Sequence, residues 1–307
     1  MSAKKYIFIV YMFFFFAQST HCYNLPYINL GLTSFLDGGP LRPVPGWYFI
    51  NLFEYYQSHT FLDAHGCLLD GIPSPHLKEF TYLPIVVYQW ERKILGASPG
   101  ADVTIPFALI NKITCSGLGL TTSGGGMGDL FGGAYLQWDA IMHGDRPIFV
   151  HRLEFDVSFP TGKVHSPVAT TINPGNNFFF INPYWAATLY PISRLSISWR
   201  IFYLWSALNR ATCIQPGDAV HLNYAVAYEV VKNFHIGING YFLQQIKDDK
   251  LHGMPILQSR ERIFAVGPGA IYVQSQDLYI LGNFYKESHA RNRTQGIKAV
   301  FTVIKHF

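Results

Sequence analysis

The stretch AVHLNYAVAYEV (residues 219–230) has a large apolar or aromatic side chain at every second position, with polar residues or alanine between them. Val220, Leu222 and Tyr224 share one parity, and His221 and Asn223 share the other. A period of two places these two sets on opposite faces of a β-strand. Strands of soluble proteins usually have about 5–6 residues, whereas strands that cross a membrane need about 9–11. The length therefore favours a spanning strand with lipid on one face and a polar interior on the other.

The composition of the chain agrees with a membrane location but not with spanning helices. Of the 307 residues, 49% are hydrophobic and only 14% are charged, against about 25% charged in soluble domains. The longest apolar run, residues 6–17, is shorter than the ~20 residues that a spanning helix needs. A closed β-barrel is the remaining structure that satisfies every backbone group in lipid.

The same alternation recurs along the chain and predicts about twelve strands. We predict them at 47–58, 79–91, 101–114, 127–139, 147–159, 177–190, 194–206, 219–231, 234–246, 260–273, 277–288 and 295–307. After the sixth strand the connections are short at 191–193, 232–233 and 274–276, long at 207–218 and 247–259, and intermediate at 289–294. This alternation is typical of an all-β fold, a single transmembrane antiparallel barrel with short periplasmic turns and longer extracellular loops. Counts of ten or fourteen strands are alternatives that the sequence leaves open.

The N-terminus predicts export. Lys4 and Lys5 precede the apolar run YIFIVYMFFFFA, which small and polar residues follow; this is the pattern of a secretory signal peptide. We assign residues 1–22 to the signal, with an uncertain cleavage site, and 23–307 to the barrel. An oxidising compartment permits a disulfide, and Cys67 with Cys115 is the pair to test.

The last strand ends on Phe307, with Val303, Phe301 and Ile297 on the same parity. A terminal Phe on an alternating strand resembles the signal that the barrel-assembly machinery reads in outer-membrane proteins. Lys305 departs from the apolar residue usual at its position. The expected partners are therefore this machinery and the lipids of the outer membrane of a Gram-negative cell.

Polar side chains on the lumen parity are the candidate selectivity residues. An arginine facing lipid at mid-bilayer costs about 2–4 kcal/mol, so an inward position is favoured. The candidates are Asp129, Arg152, Glu154, Asp156, Arg200, His221, Asn223, Glu229 and His235. They either neutralise one another in a packed lumen or set the selectivity of a water-filled one, and Asp129 has a second interpretation as a structural residue at the rim.

Other motifs give no site. The glycines around Asp129 are not followed by GK[ST], so they do not form a phosphate loop. The cysteines and histidines lack metal-ligand spacing, and no basic run indicates nucleic acid. We therefore predict no catalytic, cofactor-binding or metal-binding residues. Phe178, Phe179, Phe180, Tyr184 and Trp185 suggest a strand entering an aromatic belt at the membrane interface.

Several segments resemble the bacterial "meta-pathway of phenol degradation" family of outer-membrane barrels, over roughly residues 120–307. They are GGGMGDLFGGAYLQW (124–138), FDVSFPTG (155–162), NPGNNFFFINPYWAATLYP (173–191), LNRATCIQPGDAVHLNYAVAYEV (208–230), GINGYFLQQIKDD (237–249), VGPGAIYV (266–273) and NRTQG (292–296). The resemblance implies a channel or transporter for passive uptake of small hydrophobic or aromatic compounds, and it brings no catalytic residues.

Two other function classes stay open at this point. A non-transporting structural or adhesion barrel would act through its extracellular loops. An outer-membrane lipid hydrolase would need a Ser/His pair on the barrel surface, but the chain lacks an HxSNG-like string, and His165-Ser166 stands without the surrounding pattern.

Overall fold

The computed structural model describes residues 25–69, 76–114, 121–122, 124–165, 171–275 and 277–307. The predicted signal peptide and Cys115 lie outside these ranges. Within them, Cys67 and Cys213 are free thiols. No helix in the described part of the chain is long and apolar enough to cross a membrane, a finding that does not bear on strands.

Twelve antiparallel strands form a closed barrel, in agreement with the predicted number. They are β1 (Gly46–Leu62), β2 (His76–Gln89), β3 (Ala97–Thr104 and Phe107–Thr114), β4 (Gly126–Met127, Leu130–Trp138 and Ile141–His143), β5 (Arg146–Phe159), β6 (Phe180–Ile181 and Tyr184–Ile192), β7 (Leu195–Ser206), β8 (Ala219–Val231), β9 (Phe234–Gln245), β10 (Arg262–Ser275), β11 (Leu278–Arg291) and β12 (Arg293–His306). Each strand pairs with the next, and β12 closes the barrel on β1 from Tyr48↔His306 to Leu62↔Arg293.

Short loop strands lie outside the barrel wall. Thr121–Thr122 pairs in parallel with Thr171–Ile172. Ile214–Gln215, Lys250–Leu251 and Met254–Pro255 form a small three-stranded sheet. Both sheets belong to the long loops at one end of the barrel, which we call the extracellular rim; the short turns lie at the other end, the periplasmic rim.

The alternation in β8 sorts side chains as predicted. His221 and Asn223 are fully buried inside the barrel, whereas Val226 and Tyr228 are more than 40% exposed on its outside. The same holds in β7, where Ser198 is buried and Ile201 is exposed. Lipid-facing and lumen-facing positions therefore follow the parity of the sequence.

One predicted connection is wrong. The segment 289–294 was expected to be a loop of intermediate length, but β11 runs to Arg291 and β12 begins at Arg293, so only Asn292 connects them. Asn292 adopts a positive φ of 50°, a conformation that asparagine tolerates better than most residues. The tight turn is therefore compatible with the sequence, although it lies at the extracellular rim.

The wall is interrupted between β3 and β4. Pro106, which has no backbone N–H, lies between the two halves of β3, and β4 pairs with the second half only through Phe107 and Ala108. Beyond this point Asn111 is held by loop residues instead: its carbonyl oxygen accepts from Thr122 Oγ1 at 3.0 Å, and its side chain donates to the Ile172 carbonyl at 3.3 Å.

Candidate functional site

An N-terminal segment fills much of the barrel lumen. We call residues 25–39 the lumen segment. The Leu25 N–H donates to Glu261 near the extracellular rim at 2.9 Å. The Gly38 N–H donates to Thr188 Oγ1 near the periplasmic rim, also at 2.9 Å. The segment therefore runs along the lumen from one end of the barrel towards the other.

Asn223 holds the middle of the lumen segment. Its Oδ1 accepts from the Gly31 N–H at 2.9 Å, and its Nδ2 donates to Asn29 Oδ1 at 2.8 Å and to Thr33 Oγ1 at 3.0 Å. From β11, the Tyr285 hydroxyl donates to the Gly31 carbonyl at 2.8 Å. A buried polar group without a hydrogen-bond partner destabilises the folded state. The pairing of these groups therefore stabilises the segment in this position.

The backbone of the lumen segment lies in close contact with the wall at two glycines. Gly31 has a positive φ of 74°, and a Cβ there would lie 2.6 Å from Tyr241 Cδ1. A Cβ on Gly38 would lie 2.5 Å from the backbone of both Val150 and Thr188. Only glycine permits the segment to approach the wall this closely at these positions.

The lumen is partly apolar, whereas the sequence predicted a polar lumen. Leu25, Ile28, Leu30 and Leu32 of the lumen segment are all buried. They belong to one hydrophobic cluster with inward side chains such as Leu243 of β9. The barrel therefore has a packed core built from its wall and its own N-terminal segment.

Ion pairs also join the segment to the wall and the wall strands to each other. Arg200 of β7 bonds Asp37 of the lumen segment. Lys298 pairs with Glu54 at 3.1 Å and donates to the Leu30 carbonyl at 2.9 Å. These charges are buried and paired, as charges inside a protein must be.

A second group of charges lies on β5 beside Arg200. Arg152 Nη1 lies 3.6 Å from Glu154 Oε2, which also accepts from the Tyr184 hydroxyl. The Arg152 guanidinium stacks over the Tyr135 ring at 4.0 Å, and that of Arg200 stacks over Tyr184 at 4.3 Å. Aromatic faces thus hold both arginines in place.

Three carboxylates meet at this group. Oxygen atoms of Asp102, Glu154 and Asp156 all lie within 4.8 Å of one another. Such an arrangement could hold a cation, but Arg152 and Arg200 already supply two positive charges beside it. Asp156 Oδ1 is buried without a hydrogen-bond partner, so this oxygen is an acceptor available inside the lumen.

Two adjoining cavities remain between the lumen segment and the wall. The upper cavity, near the extracellular rim, has about 190 Å³ and is lined by Glu79, Asn111 and loop residues around Pro174. The lower cavity has about 140 Å³ and lies deeper in the barrel. Tyr27 and Pro174 line both, so the two spaces are neighbours.

The lower cavity has an apolar side and a charged side. Inward side chains of β1 and β2 form the apolar side; they are Ile50, Leu52, Leu83, Ile85 and Val87. The charged side carries Asp102, Arg152, Glu154, Asp156, Tyr184 and Arg200. A small molecule inside would therefore meet hydrocarbon on one side and hydrogen-bonding groups on the other.

The predicted lumen residues lie in four different places. Arg152, Glu154, Asp156 and Arg200 come together at the lower cavity. Among the others, His221 is buried against Phe202, with ring centroids 4.0 Å apart, and its Nε2 lies 3.0 Å from Asn182 Oδ1.

Glu229 and His235 lie elsewhere, opposite each other at the periplasmic turn between β8 and β9. Glu229 accepts from the Asn233 N–H at 2.8 Å. Neither residue lines the upper or the lower cavity. Both residues share the parity of the inward side chains in their strands, but parity alone does not give the height of a residue along the barrel.

Asp129 ties the loop 160–179 to the start of β4. Its Oδ1 accepts from the Gly162 N–H at 2.8 Å, and its Oδ2 accepts from the Asn176 N–H at 2.7 Å and from Asn176 Nδ2 at 2.8 Å. This clamp agrees with the structural interpretation of Asp129, although the residue also borders the lower cavity.

Asp129→Ala is expected to loosen this loop without opening the lumen. Hydrogen bonds to a charged group contribute about 1.5–3 kcal/mol each, so we expect trypsin to cleave after Lys163 at least about tenfold faster. Limited proteolysis in detergent measures this rate. A change in solute flux with unchanged cleavage would instead assign Asp129 to the pore.

The aromatic belt expected at residues 178–185 is mostly wrong. Phe178, Phe180 and Tyr184 are buried inside the barrel, whereas Trp185 is 37% exposed on the outside. Phe179 also lies on the outer side, where its ring centroid is 5.8 Å from that of the exposed Phe159. Phe180 packs in the core beside the lumen segment. Aromatic composition could not tell the two faces apart here, because the lumen itself is partly apolar.

The lumen segment and its charged residue Asp37 were not predicted. The segment has no period of two, but it carries the glycines 31, 38 and 39 and lies between the predicted signal and the first predicted strand. Asp102 was also missed. Lys298 and Glu54 have inward parity in their strands, so the alternation could have found them.

A family model described as putative MetA-pathway of phenol degradation matches residues 70–303. No curated protein sequence matches the chain. The COG4313 outer membrane channel from Pseudomonas putida F1 is similar in structure, with a TM-score of 0.72 and 12% identity over 87% of this chain and 97% of that chain. The CymD monoaromatic hydrocarbon channel has a TM-score of 0.44 and 8% identity, covering 94% of both chains. The closed barrel with an apolar outer surface is that of an integral outer-membrane protein.

Proposed function

The chain belongs to the putative MetA-pathway of phenol degradation family, and on that premise we propose that it is a channel for passive uptake of small hydrophobic or aromatic compounds. The observation that carries the proposal is the lower cavity, with its apolar and charged sides. The fold shared with an outer membrane channel supports it. We further infer that the protein acts without catalysis.

The size of the lower cavity suits a single ring. It has about 140 Å³, and an engineered protein cavity of about 150 Å³ lined by Leu, Ile and Phe binds benzene. The upper cavity adjoins it towards the extracellular rim, beside the interruption between β3 and β4. A solute therefore has a place to bind halfway through the barrel, and its onward path requires the lumen segment to move.

The charged side of the lower cavity supplies selectivity in this proposal. Oxygen atoms of Asp102, Glu154 and Asp156 lie within 4.8 Å of one another beside Arg152 and Arg200, so a polar substituent on a ring meets both hydrogen-bond donors and acceptors. The apolar edge of the same ring lies against β1 and β2. We propose that the predicted residues Arg152, Glu154, Asp156 and Arg200 act in this way, and that Asn223 and His221 hold the lumen segment and the wall.

Filling the lower cavity is expected to stop uptake. In Ile85→Trp the larger side chain occupies the apolar side, and we expect flux of toluene or phenol into liposomes to fall at least about fivefold. Val86→Trp is the matched control, because Val86 is the next residue of β2 and lies on the outer surface, 36% exposed. Solute entry is followed by an enzyme trapped inside the vesicles.

Two outcomes would contradict the proposal. Wild-type protein that admits no aromatic compound at all would favour a barrel acting through its loops. Equal flux through Ile85→Trp and Val86→Trp would show that solutes bypass the lower cavity.

We also propose that the barrel-assembly machinery recognises β12 with its terminal Phe307. Phe301 faces outward on this strand, 49% exposed, and Phe307 lies at its end, 73% exposed. β12 supplies one edge of the closing seam with β1. Phe307→Ala is expected to lower the amount of heat-modifiable barrel in outer-membrane fractions.

A further inference from the structure

Two unpaired arginines face each other on the outer surface at the extracellular rim. Arg262 begins β10, Arg291 ends β11, and the two are direct partners in the strand register. Like charges in this position destabilise a strand pair. Arg262 Nε is buried without a hydrogen-bond partner, and neither arginine has an acidic partner among the residues that the structure describes. The pair therefore lacks a counter-charge within the described protein.

These arginines line a groove of about 670 Å³ between the barrel and the loop 246–261. Arg260 and Asp248 also line it. Arg260 Nε donates to Asp248 Oδ1 at 3.0 Å and its Nη2 donates to Asp248 Oδ2 at 3.3 Å. Three arginines against one carboxylate leave the groove with two excess positive charges.

The groove is held in shape by the turn between β11 and β12. Asn292 Nδ2 donates to the backbone carbonyls of Gln258 at 2.6 Å and Arg260 at 3.0 Å. The Asn292 N–H donates to the Asp63 carbonyl at 3.0 Å. The loop that carries Arg260 is thus fixed against the strands that carry the other two arginines, so the three guanidinium groups need little ordering on binding.

The position of the groove identifies the kind of ligand. The Arg262 guanidinium lies 6.0 Å from the ring of Phe242 on the lipid-facing side of β9, and Leu257, which also lines the groove, is 78% exposed. An arginine on the lipid face costs about 2–4 kcal/mol at mid-bilayer but about 0–1 near the interface. The rim therefore places these arginines at the level of lipid headgroups.

We propose that this groove binds the phosphate of a phosphorylated glycolipid of the outer leaflet. Guanidinium groups bind phosphate with two parallel hydrogen bonds, and the two excess positive charges match one phosphate group. Phe242, on the lipid-facing side of β9 beside Arg262, lies where the apolar part of such a lipid would continue. The inference concerns the outer surface and is independent of the solute that the lumen carries.

The test uses the full-length barrel in detergent micelles, with bisphosphorylated lipid A, dephosphorylated lipid A and inorganic phosphate as probes. We expect wild-type protein to bind the phosphorylated lipid at least about tenfold more tightly than the dephosphorylated one, because each charge-assisted contact is strong. Arg262→Gln/Arg291→Gln should lose this preference. Arg194→Gln, in an exposed turn at the opposite rim, should keep it.

Two results would overturn the assignment. One is an unchanged preference in the double variant. The other is competition by inorganic phosphate at the same concentration as lipid A, which would indicate a site for free anions. Heat-modifiable gel mobility confirms that each variant is folded. If the double variant does not fold, the single variant Arg291→Gln, at the end of β11, is tested instead. Its preference for phosphorylated over dephosphorylated lipid A should be weaker than that of the wild type, and an unchanged preference would overturn the assignment.

Discussion

Deletion of residues 25–39 is expected to open the barrel and to raise its single-channel conductance at least about tenfold. In the structure these residues pack into the hydrophobic core of the lumen and bond Asn223, Thr188 and Glu261. Without them, water enters and solvates the inward polar groups, while the hydrogen bonds between the strands remain. Planar-bilayer recordings of the deletion variant and the wild type measure the effect.

The control for this deletion removes residues 252–257 from an extracellular loop, which leaves the lumen segment in place. Heat-modifiable mobility shows that both shortened barrels are folded. Unchanged conductance after deletion of 25–39 would mean that the wall side chains close the lumen by themselves. That result would contradict the proposal that movement of the lumen segment opens the path from the lower cavity.

Arg200→Ala is expected to release the lumen segment. Arg200 is the ion-pair partner of Asp37 and stacks on Tyr184. Removing one partner of a buried pair costs about 3–5 kcal/mol. The stranded charge belongs to the segment, so the least costly response is for the segment to leave the lumen rather than for the barrel to unfold. A cost of about 3 kcal/mol raises the open fraction roughly 100-fold.

A double-variant cycle separates the ion pair from simple loss of packing. Asp37→Ala/Arg200→Ala removes both charges and should conduct less than Arg200→Ala alone. Arg194→Ala, outside the lumen, should conduct like the wild type. Equal conductance of the single and double variants would show that the pair does not hold the segment. Bilayer recordings and the temperature of heat-modifiable unfolding together distinguish opening from loss of the barrel.

The barrel wall could be predicted because its environment acts on every second residue. Lipid outside and a closed interior impose the same alternation on β5, β7, β8 and β9, so Arg152 and Asn223 were assigned to the inside from parity alone. The turn chemistry was less informative. Asn292 closes a one-residue connection that the sequence pattern presents as a longer one.

The interior could not be predicted in the same way. The lumen segment has no regular secondary structure, and its hydrogen bonds go to residues far away in the chain, such as Thr188 and Tyr285. No local pattern records such contacts. The inward positions of Phe178 and Phe180 follow from a related cause, since both pack into the apolar cluster that the lumen segment forms with inward side chains of the wall.

The segment that blocks the lumen is joined directly to the first strand of the wall. Residues 40–45 connect them and include Pro40, Pro43 and Pro45, and such a short, proline-rich tether is semi-rigid. A short tether whose length matches the distance that it spans keeps the effective concentration of its ligand high. A displaced segment therefore meets its own lumen again at once, and reclosure needs no partner from solution. Recordings of the wild type should accordingly show brief openings whose closing rate does not depend on the amount of protein in the membrane.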